Sequence, residues 1–103
     1  MKILDHQEHA WFLLEEDGQL YLDAFCSHSF FDYTVLISLN ADEAAAYRKI
    51  GRTYLDRLAH DIHYSAPAVT GSKSPYKHRN LTVPATREDN SVKEAIAEWR
   101  KTS

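Results

Sequence analysis

The stretch "HAWFLLEEDGQLYLDAFC", residues 9–26, decides the fold. Two apolar runs flank Asp17-Gly18, and an Asp-Gly pair in this position is a strong hairpin signal, because a type I′ turn needs positive φ at both central residues. The first pair across the turn is then Glu16 with Gln19, and all other pairs follow by counting outward. The stretch therefore predicts a β-hairpin whose register is set by its turn.

This register sorts the side chains between two faces of the predicted sheet. The first, called the core face, is mostly apolar and is the better candidate for the hydrophobic core. On the second, called the aromatic face, Asp23 lies opposite Phe12 among aromatic side chains, so we expect another element to cover this face only in part. The core face carries Trp11, Leu13, Leu20, Leu22 and Ala24, and the aromatic face carries Phe12, Leu14, Tyr21, Asp23 and Phe25.

A third strand is predicted after the hairpin. The sequence "FDYTVLISL", residues 31–39, alternates Tyr33, Val35 and Ile37 with smaller or more polar residues, and it is rich in β-branched and aromatic side chains. Residues 26–29, "CSHS", are the expected turn before it. The N-terminal half thus predicts a three-stranded antiparallel meander.

A helix is predicted to follow the third strand. Asn40 can cap its first turn, and Glu43 three residues later completes a capping box. Apolar residues at helical spacing predict one long helix over residues 41–63. Gly51 lies inside this helix, where glycine costs about 1 kcal/mol relative to alanine.

The C-terminal part is predicted as a long loop, residues 64–80, and a short helix that opens with a capping box at Ser91 and runs to about Lys101. Residues 80–83, "NLTV", are a candidate short edge strand. The predicted fold is a single α+β domain over residues 1–103. It is a three-stranded antiparallel meander packed on one long helix, followed by the loop and the short C-terminal helix, in the order βββα-loop-α.

Composition is that of an ordinary globular domain. The 103 residues include 44% hydrophobic and 26% charged side chains, and the net charge of −3 gives no general case for nucleic acid. No apolar run approaches the roughly 20 residues of a membrane helix, and the first residues turn polar before a signal-peptide core could form. Cys26 is the single cysteine. We therefore expect a cytoplasmic protein without a membrane partner.

The charges are unevenly distributed along the chain. Residues 1–40 carry Lys2 and seven acidic residues, whereas the stretch "HYSAPAVTGSKSPYKHRN", residues 63–80, carries three fixed positive charges and no carboxylate. Positive charge interleaved with aromatic rings can hold an anionic ligand. The leading hypothesis is a non-enzymatic binding or adaptor module that uses this loop to hold a protein or an anionic ligand, with nucleic acid less favoured. The predicted binding residues are Tyr64, Lys73, Tyr76, Lys77 and Arg79.

The alternative from a different class is a small zinc-binding protein or metal-dependent enzyme. His60 and His63 are spaced i,i+3 and share a helix face, and Asp56 lies one turn before them. Cys26 and His28 could complete a ligand set if the end of the strand met the end of the helix. A His-x-x-His pair is weak evidence without such further ligands, so the sequence predicts no cofactor, with zinc as the alternative.

A third hypothesis concerns self-association. An aromatic sheet face that no helix covers would be buried between two copies of the chain, which leaves monomer and homodimer both open. The residues of this predicted interface are Phe12, Leu14, Tyr21 and Phe25.

Overall fold

The computed structural model describes residues 1–28, 31–65, 73–82 and 86–102, with backbone alone at residues 28 and 31. Within these ranges the chain is an α+β structure with one antiparallel sheet in the order β1-β2-β3-β4. None of the described helices is long and apolar enough to cross a membrane. The described elements are β1 (Lys2–Gln7), β2 (Trp11–Glu16), β3 (Gln19–His28), β4 (Phe31–Ser38), α1 (Ala41–Ile50), α2 (Arg52–Ser65), a 3-10 turn (Lys77–Arg79) and α3 (Arg87–Thr102).

The predicted hairpin turn between β2 and β3 is confirmed. Asp17 and Gly18 have φ angles of 53° and 81°, the left-handed pair that a type I′ turn requires. The predicted register is also confirmed, since Leu13 pairs with Leu22 and the other predicted pairs of β2 and β3 are the same as those observed. The sorting of side chains between the core face and the aromatic face therefore holds.

The prediction of three strands was wrong, because β1 adds a fourth strand at the edge of β2. Ile3 pairs with Leu14 and Asp5 with Leu13, so the register slips by one residue and Leu4 is left as an exposed bulge. A bulge interrupts the alternation of side chains by which a strand is recognised in a sequence. The N-terminal residues therefore do not show a two-residue period.

The predicted turn at residues 26–29 was also wrong at its start. Cys26 and Ser27 remain in β3, where they pair with Tyr33 and Asp32 of β4. The ladder continues because backbone hydrogen bonds do not depend on the polarity of the side chains. Residues 29–30 of the predicted turn lie outside the described residues.

The predicted single long helix is divided into α1 and α2 at Gly51, which has φ 89° and ψ −155°. Non-glycine residues avoid this conformation, so the glycine marks a break in the helix. The capping box at the start of α1 is confirmed. Asn40 Oδ1 accepts from the Glu43 backbone NH at 2.8 Å, and Glu43 Oε1 accepts from the Asn40 NH at 2.9 Å.

The segment between α2 and α3 differs from the predicted loop 64–80. Residues 64–65 belong to α2, residues 77–79 form the 3-10 turn, and residues 66–72 lie outside the described ranges. Residues 80–82 are not a strand, and residue 83 is not described. They still cover the edge of β4, because the Leu81 NH donates to the Leu36 carbonyl at 2.8 Å and Asn80 Oδ1 accepts from the Leu36 NH at 3.3 Å.

The C-terminal helix begins at Arg87, four residues before the predicted start at Ser91. Thr86 Oγ1 accepts a hydrogen bond from the Asp89 backbone NH at 3.1 Å, which is the bond that a capping threonine makes. A threonine followed three residues later by an acidic residue resembles the pattern at Ser91, and the upstream pattern is the one that caps the helix.

Helices cover both faces of the sheet, but unequally. α1 and α2 lie on the core face, where α2 buries Leu55, Leu58, Ala59 and Ile62. α3 lies on the aromatic face, where Val92 and Ile96 pack on Leu14, Tyr21 and Leu36. The expectation that another element covers the aromatic face in part is confirmed. The core-face cluster includes Trp11, Leu13, Leu20, Leu22, Ala24, Cys26, Val35, Ile37 and Leu39.

The break at Gly51 predicts how a substitution at this position changes the free energy of unfolding. Gly51→Ala should lower the free energy of unfolding by about 1–3 kcal/mol, because alanine is strained at this backbone conformation. A Cβ placed here meets no atom within 4 Å, so backbone strain rather than a clash is the cause. Urea unfolding measures the change, and Ala45→Gly in α1 calibrates the cost of an ordinary helical glycine, about 1 kcal/mol. A stabilised Gly51→Ala variant would show that the helix is continuous.

Candidate functional site

The described part of the basic loop is docked on its own domain. Arg79 donates to both carboxylate oxygens of Glu43, one of them at 3.0 Å, and to the Ser38 carbonyl at 2.9 Å. Its guanidinium also lies 5.9 Å from the centre of the Tyr76 ring. Burial opposes ionisation of Glu43, but the Arg79 contacts and the Asn40 backbone NH together lower the pKa of this carboxyl. Arg79 therefore attaches the loop to α1.

Two further residues hold the same segment in place. Tyr76 is half-buried and packs against the core-face cluster. Ser74 is buried, its hydroxyl lies 2.6 Å from the hydroxyl of Ser65, and it accepts a hydrogen bond from the Tyr76 NH at 3.1 Å. Together with the Arg79 contacts, these interactions dock residues 74–79 on the rest of the domain.

The other predicted binding residues remain accessible. Lys73 and Lys77 are exposed on the loop. Tyr64 is 81% exposed, but it lies on α2, where its ring is 6.0 Å from that of His60. The structure thus separates the five residues into two structural contacts and three exposed side chains, and their use as a binding surface stays a prediction.

The predicted metal ligands make other contacts. His63 Nδ1 accepts from the Ser27 backbone NH at 3.3 Å, and Asp56 Oδ1 accepts from Trp11 Nε1 at 2.8 Å. His60 is exposed. Within the described ranges, no three or more His, Cys, Asp or Glu residues are grouped so that they could hold a metal ion.

Cys26 is buried in the core-face cluster. Burial raises the pKa of its thiol to about 11, and a hydrogen bond with Tyr33 offsets this shift only in part. The thiolate is the reactive form of cysteine, so a neutral and inaccessible thiol is unsuited to nucleophilic or ligand chemistry. The side chain of His28, its predicted partner, lies outside the described residues.

A further candidate site lies on the other side of the sheet, in a cavity of about 720 Å³ between the aromatic face and α3. α3 covers Leu14 and Tyr21, so half of the predicted dimer interface is occupied by the chain's own helix. Phe12 and Phe25 instead line the cavity, and Phe25 is 39% exposed. We call this cavity the α3 cleft.

One wall of the α3 cleft is a cluster of three rings. The His6 and Phe12 rings are stacked with centroids 5.5 Å apart, and Trp99 meets both edge-on, with centroid distances of 4.6 Å and 5.5 Å. Such offset and edge-to-face contacts add to the stabilisation from burial. The cluster joins β1, β2 and α3, so these three side chains form one packed wall of the α3 cleft.

Asp23 is the buried acidic group of this cleft, with 7% of its surface exposed. No described residue donates a hydrogen bond to its carboxylate, and its charged neighbours are Asp89, Lys93 and Arg100 on α3. Burial is the main cause that raises the pKa of Asp23 to about 7. The negative charge of Asp89 raises it further, and Lys93 and Arg100 oppose the shift.

The cationic neighbour closest to this acidic pair already has a partner. Lys93 Nζ lies 2.8 Å from Asp89 Oδ2, one helical turn away on α3. Asp89 is almost completely buried, at 1% exposed, and its pairing with Lys93 neutralises this buried negative charge on α3. Asp23, at the cavity wall, has no hydrogen bond or ion pair among the contacts of the described residues.

Sequence reasoning placed Asp23 on the aromatic face but did not single it out as a site residue. The signal was present, since an acidic residue at this position interrupts an otherwise apolar and aromatic face. Its burial depends on α3, which follows more than 60 residues later in the chain. A shifted pKa in a cleft is a recognised mark of functional sites.

Comparisons with known proteins were made at the levels of family and of individual chains. No family model, no curated protein and no solved structure matched this chain. The geometry of the α3 cleft is therefore the basis of the functional argument that follows.

The raised pKa of Asp23 predicts a particular pH dependence of stability. Between about pH 4 and pH 7 the folded state keeps this proton while the unfolded state has released it, so the free energy of unfolding should fall as pH rises through this window. Asp23→Asn should remove that component, which urea unfolding at a series of pH values would measure. Asp32→Asn, at an exposed position of β4, is the matched control. Equal slopes for the wild type and Asp23→Asn would contradict the assignment.

Proposed function

We propose that this protein is a binding module whose ligand occupies the α3 cleft. The observation that supports this proposal is the Asp23 carboxyl group, which is buried at the cavity wall without a hydrogen-bond donor from the described residues. Burial disfavours the charged form of this carboxyl group, which is the main cause of its raised pKa. A ligand that donates a hydrogen bond in the cleft would supply a partner for this carboxyl group.

The size and lining of the cleft also suit a ligand. Its volume of about 720 Å³ falls within the range of small-molecule sites, roughly 300–1,000 Å³. Aromatic rings offer apolar contact area at low cost in conformational entropy, and a few polar groups can fix the orientation of the ligand. The lining of Phe12, Phe25 and Trp99 around Asp23 has this composition.

A binding role for the α3 cleft requires fewer functional side chains than a catalytic role would. Acid–base catalysis usually combines a titrating group with a second group placed at the reacting atoms. The His6 ring is engaged with Phe12 and Trp99, and His9 is exposed beside Glu8 at 3.5 Å. Cys26 lies on the opposite face of the sheet. A binding role requires Asp23 and the aromatic wall alone.

Three probes of similar shape and different charge test this proposal: benzylammonium, benzyl alcohol and benzoate. At least one should cause saturable amide chemical-shift changes that are confined to the residues around the α3 cleft, because each carries a ring that fits the aromatic wall. Two-dimensional NMR titration measures the response residue by residue.

The matched variants place tryptophan inside and outside the cleft. Ala97→Trp fills the cavity from an exposed position of α3 and should abolish the response, whereas Ala45→Trp on the exposed side of α1 should leave it unchanged. The absence of a response to all three probes, or a response that survives Ala97→Trp, would refute the α3 cleft as the ligand site.

A further inference from the structure

We propose that the α3 cleft, taken as the ligand site of the preceding proposal, selects a protonated amine carried on a short apolar arm, with Asp23 as the counter-ion of the amine. The inference concerns the charge of the ligand, which the binding proposal leaves open. It follows from which charged groups of the cleft already have partners and which do not.

The charges at the base of the cleft leave one negative charge unmatched. Lys93 and Asp89 neutralise each other across 2.8 Å, so the ammonium group is not free to hold an anion. Asp23, once ionised, has no such partner among the described residues. Arg100 also lines the cavity and opposes the charge of Asp23, but it is exposed, and it forms no ion pair with Asp23 among the described contacts. A cationic ligand group restores neutrality at the buried position, whereas an anionic group would add a second unmatched charge beside Asp23.

The walls suit the same ligand. Aromatic rings attract a cation through their negative faces, and this attraction grows when the site excludes water. Phe12, Phe25 and Trp99 line the cavity around Asp23. An ammonium group on an apolar arm would contact the carboxylate with its charge and the rings with its carbon atoms, so both features of the cleft contribute to one ligand.

Charge selectivity among the three probes is the test. Benzylammonium should bind at least about tenfold more tightly than benzyl alcohol, with benzoate weakest, because a charge-assisted hydrogen bond exceeds a neutral one by about this factor. Asp23→Asn should remove the tenfold preference and leave the affinity for benzyl alcohol within about twofold. Asp32→Asn should change neither.

A second variant keeps the test decisive if Asp23→Asn does not fold. Arg100→Gln, at an exposed position of α3, removes a like charge from the cavity. At a pH well above the pKa of Asp23, where this carboxyl group is ionised in both proteins, the variant should strengthen benzylammonium binding by about twofold to fivefold. Weaker binding of benzylammonium in Arg100→Gln would overturn the proposal. Tightest binding of benzoate would also overturn the proposal and would indicate an anion site. Equal affinity for all three probes would overturn it as well and would indicate apolar recognition alone.

The source of the amine is distinguished by a further arm of the titration. N-acetyl-lysine methylamide carries the same ammonium group on the side chain of a peptide unit, whereas n-butylammonium carries it as a free small molecule. Tighter binding of the lysine derivative points to a protein partner, and tighter binding of n-butylammonium points to a small amine. If neither binds and benzyl alcohol does, the amine inference fails while the α3 cleft remains a ligand site.

Discussion

The left-handed backbone of Asp17 and Gly18 is the constraint on which the rest of the structure depends. With φ angles of 53° and 81°, these two residues close the hairpin with the smallest regular loop, and they leave a single register for β2 and β3. Because side chains alternate between faces, a slip of one residue would exchange the two sets completely. The turn therefore determines that Leu22 faces the main core and that Asp23 faces α3.

Helices cover the two faces of the sheet to different extents, and the candidate site results from this difference. α2 covers the core face with four buried apolar residues. α3 covers the aromatic face with Val92 and Ile96 as its buried apolar residues, and the remaining space becomes the α3 cleft. Desolvation by this partial cover is what raises the pKa of Asp23. A carboxyl group kept in such a place lowers stability, and function is the usual reason that proteins retain such groups.

Local signals predicted the local parts of this fold. The Asp-Gly turn, the alternation in β4 and the capping box at Asn40 all act over a few residues, and the structure confirms each of them. β1 was missed because its bulge breaks the alternation, and the helix break was missed because a glycine in a helix and a glycine at positive φ look identical in a sequence.

The site required contacts between residues distant in the chain. Arg79 counted as a free charge in the sequence, but it is paired with Glu43, 36 residues away. Asp23 counted as one acidic residue of an acidic segment, but α3 buries it. The central claim is that this carboxyl group is desolvated and unpaired. A carbon-13 NMR titration of the Asp23 carboxyl carbon, assigned with Asp23→Asn, tests it most directly. The account predicts a midpoint at about pH 7, and a midpoint near the ordinary aspartate value of about 4 would contradict it.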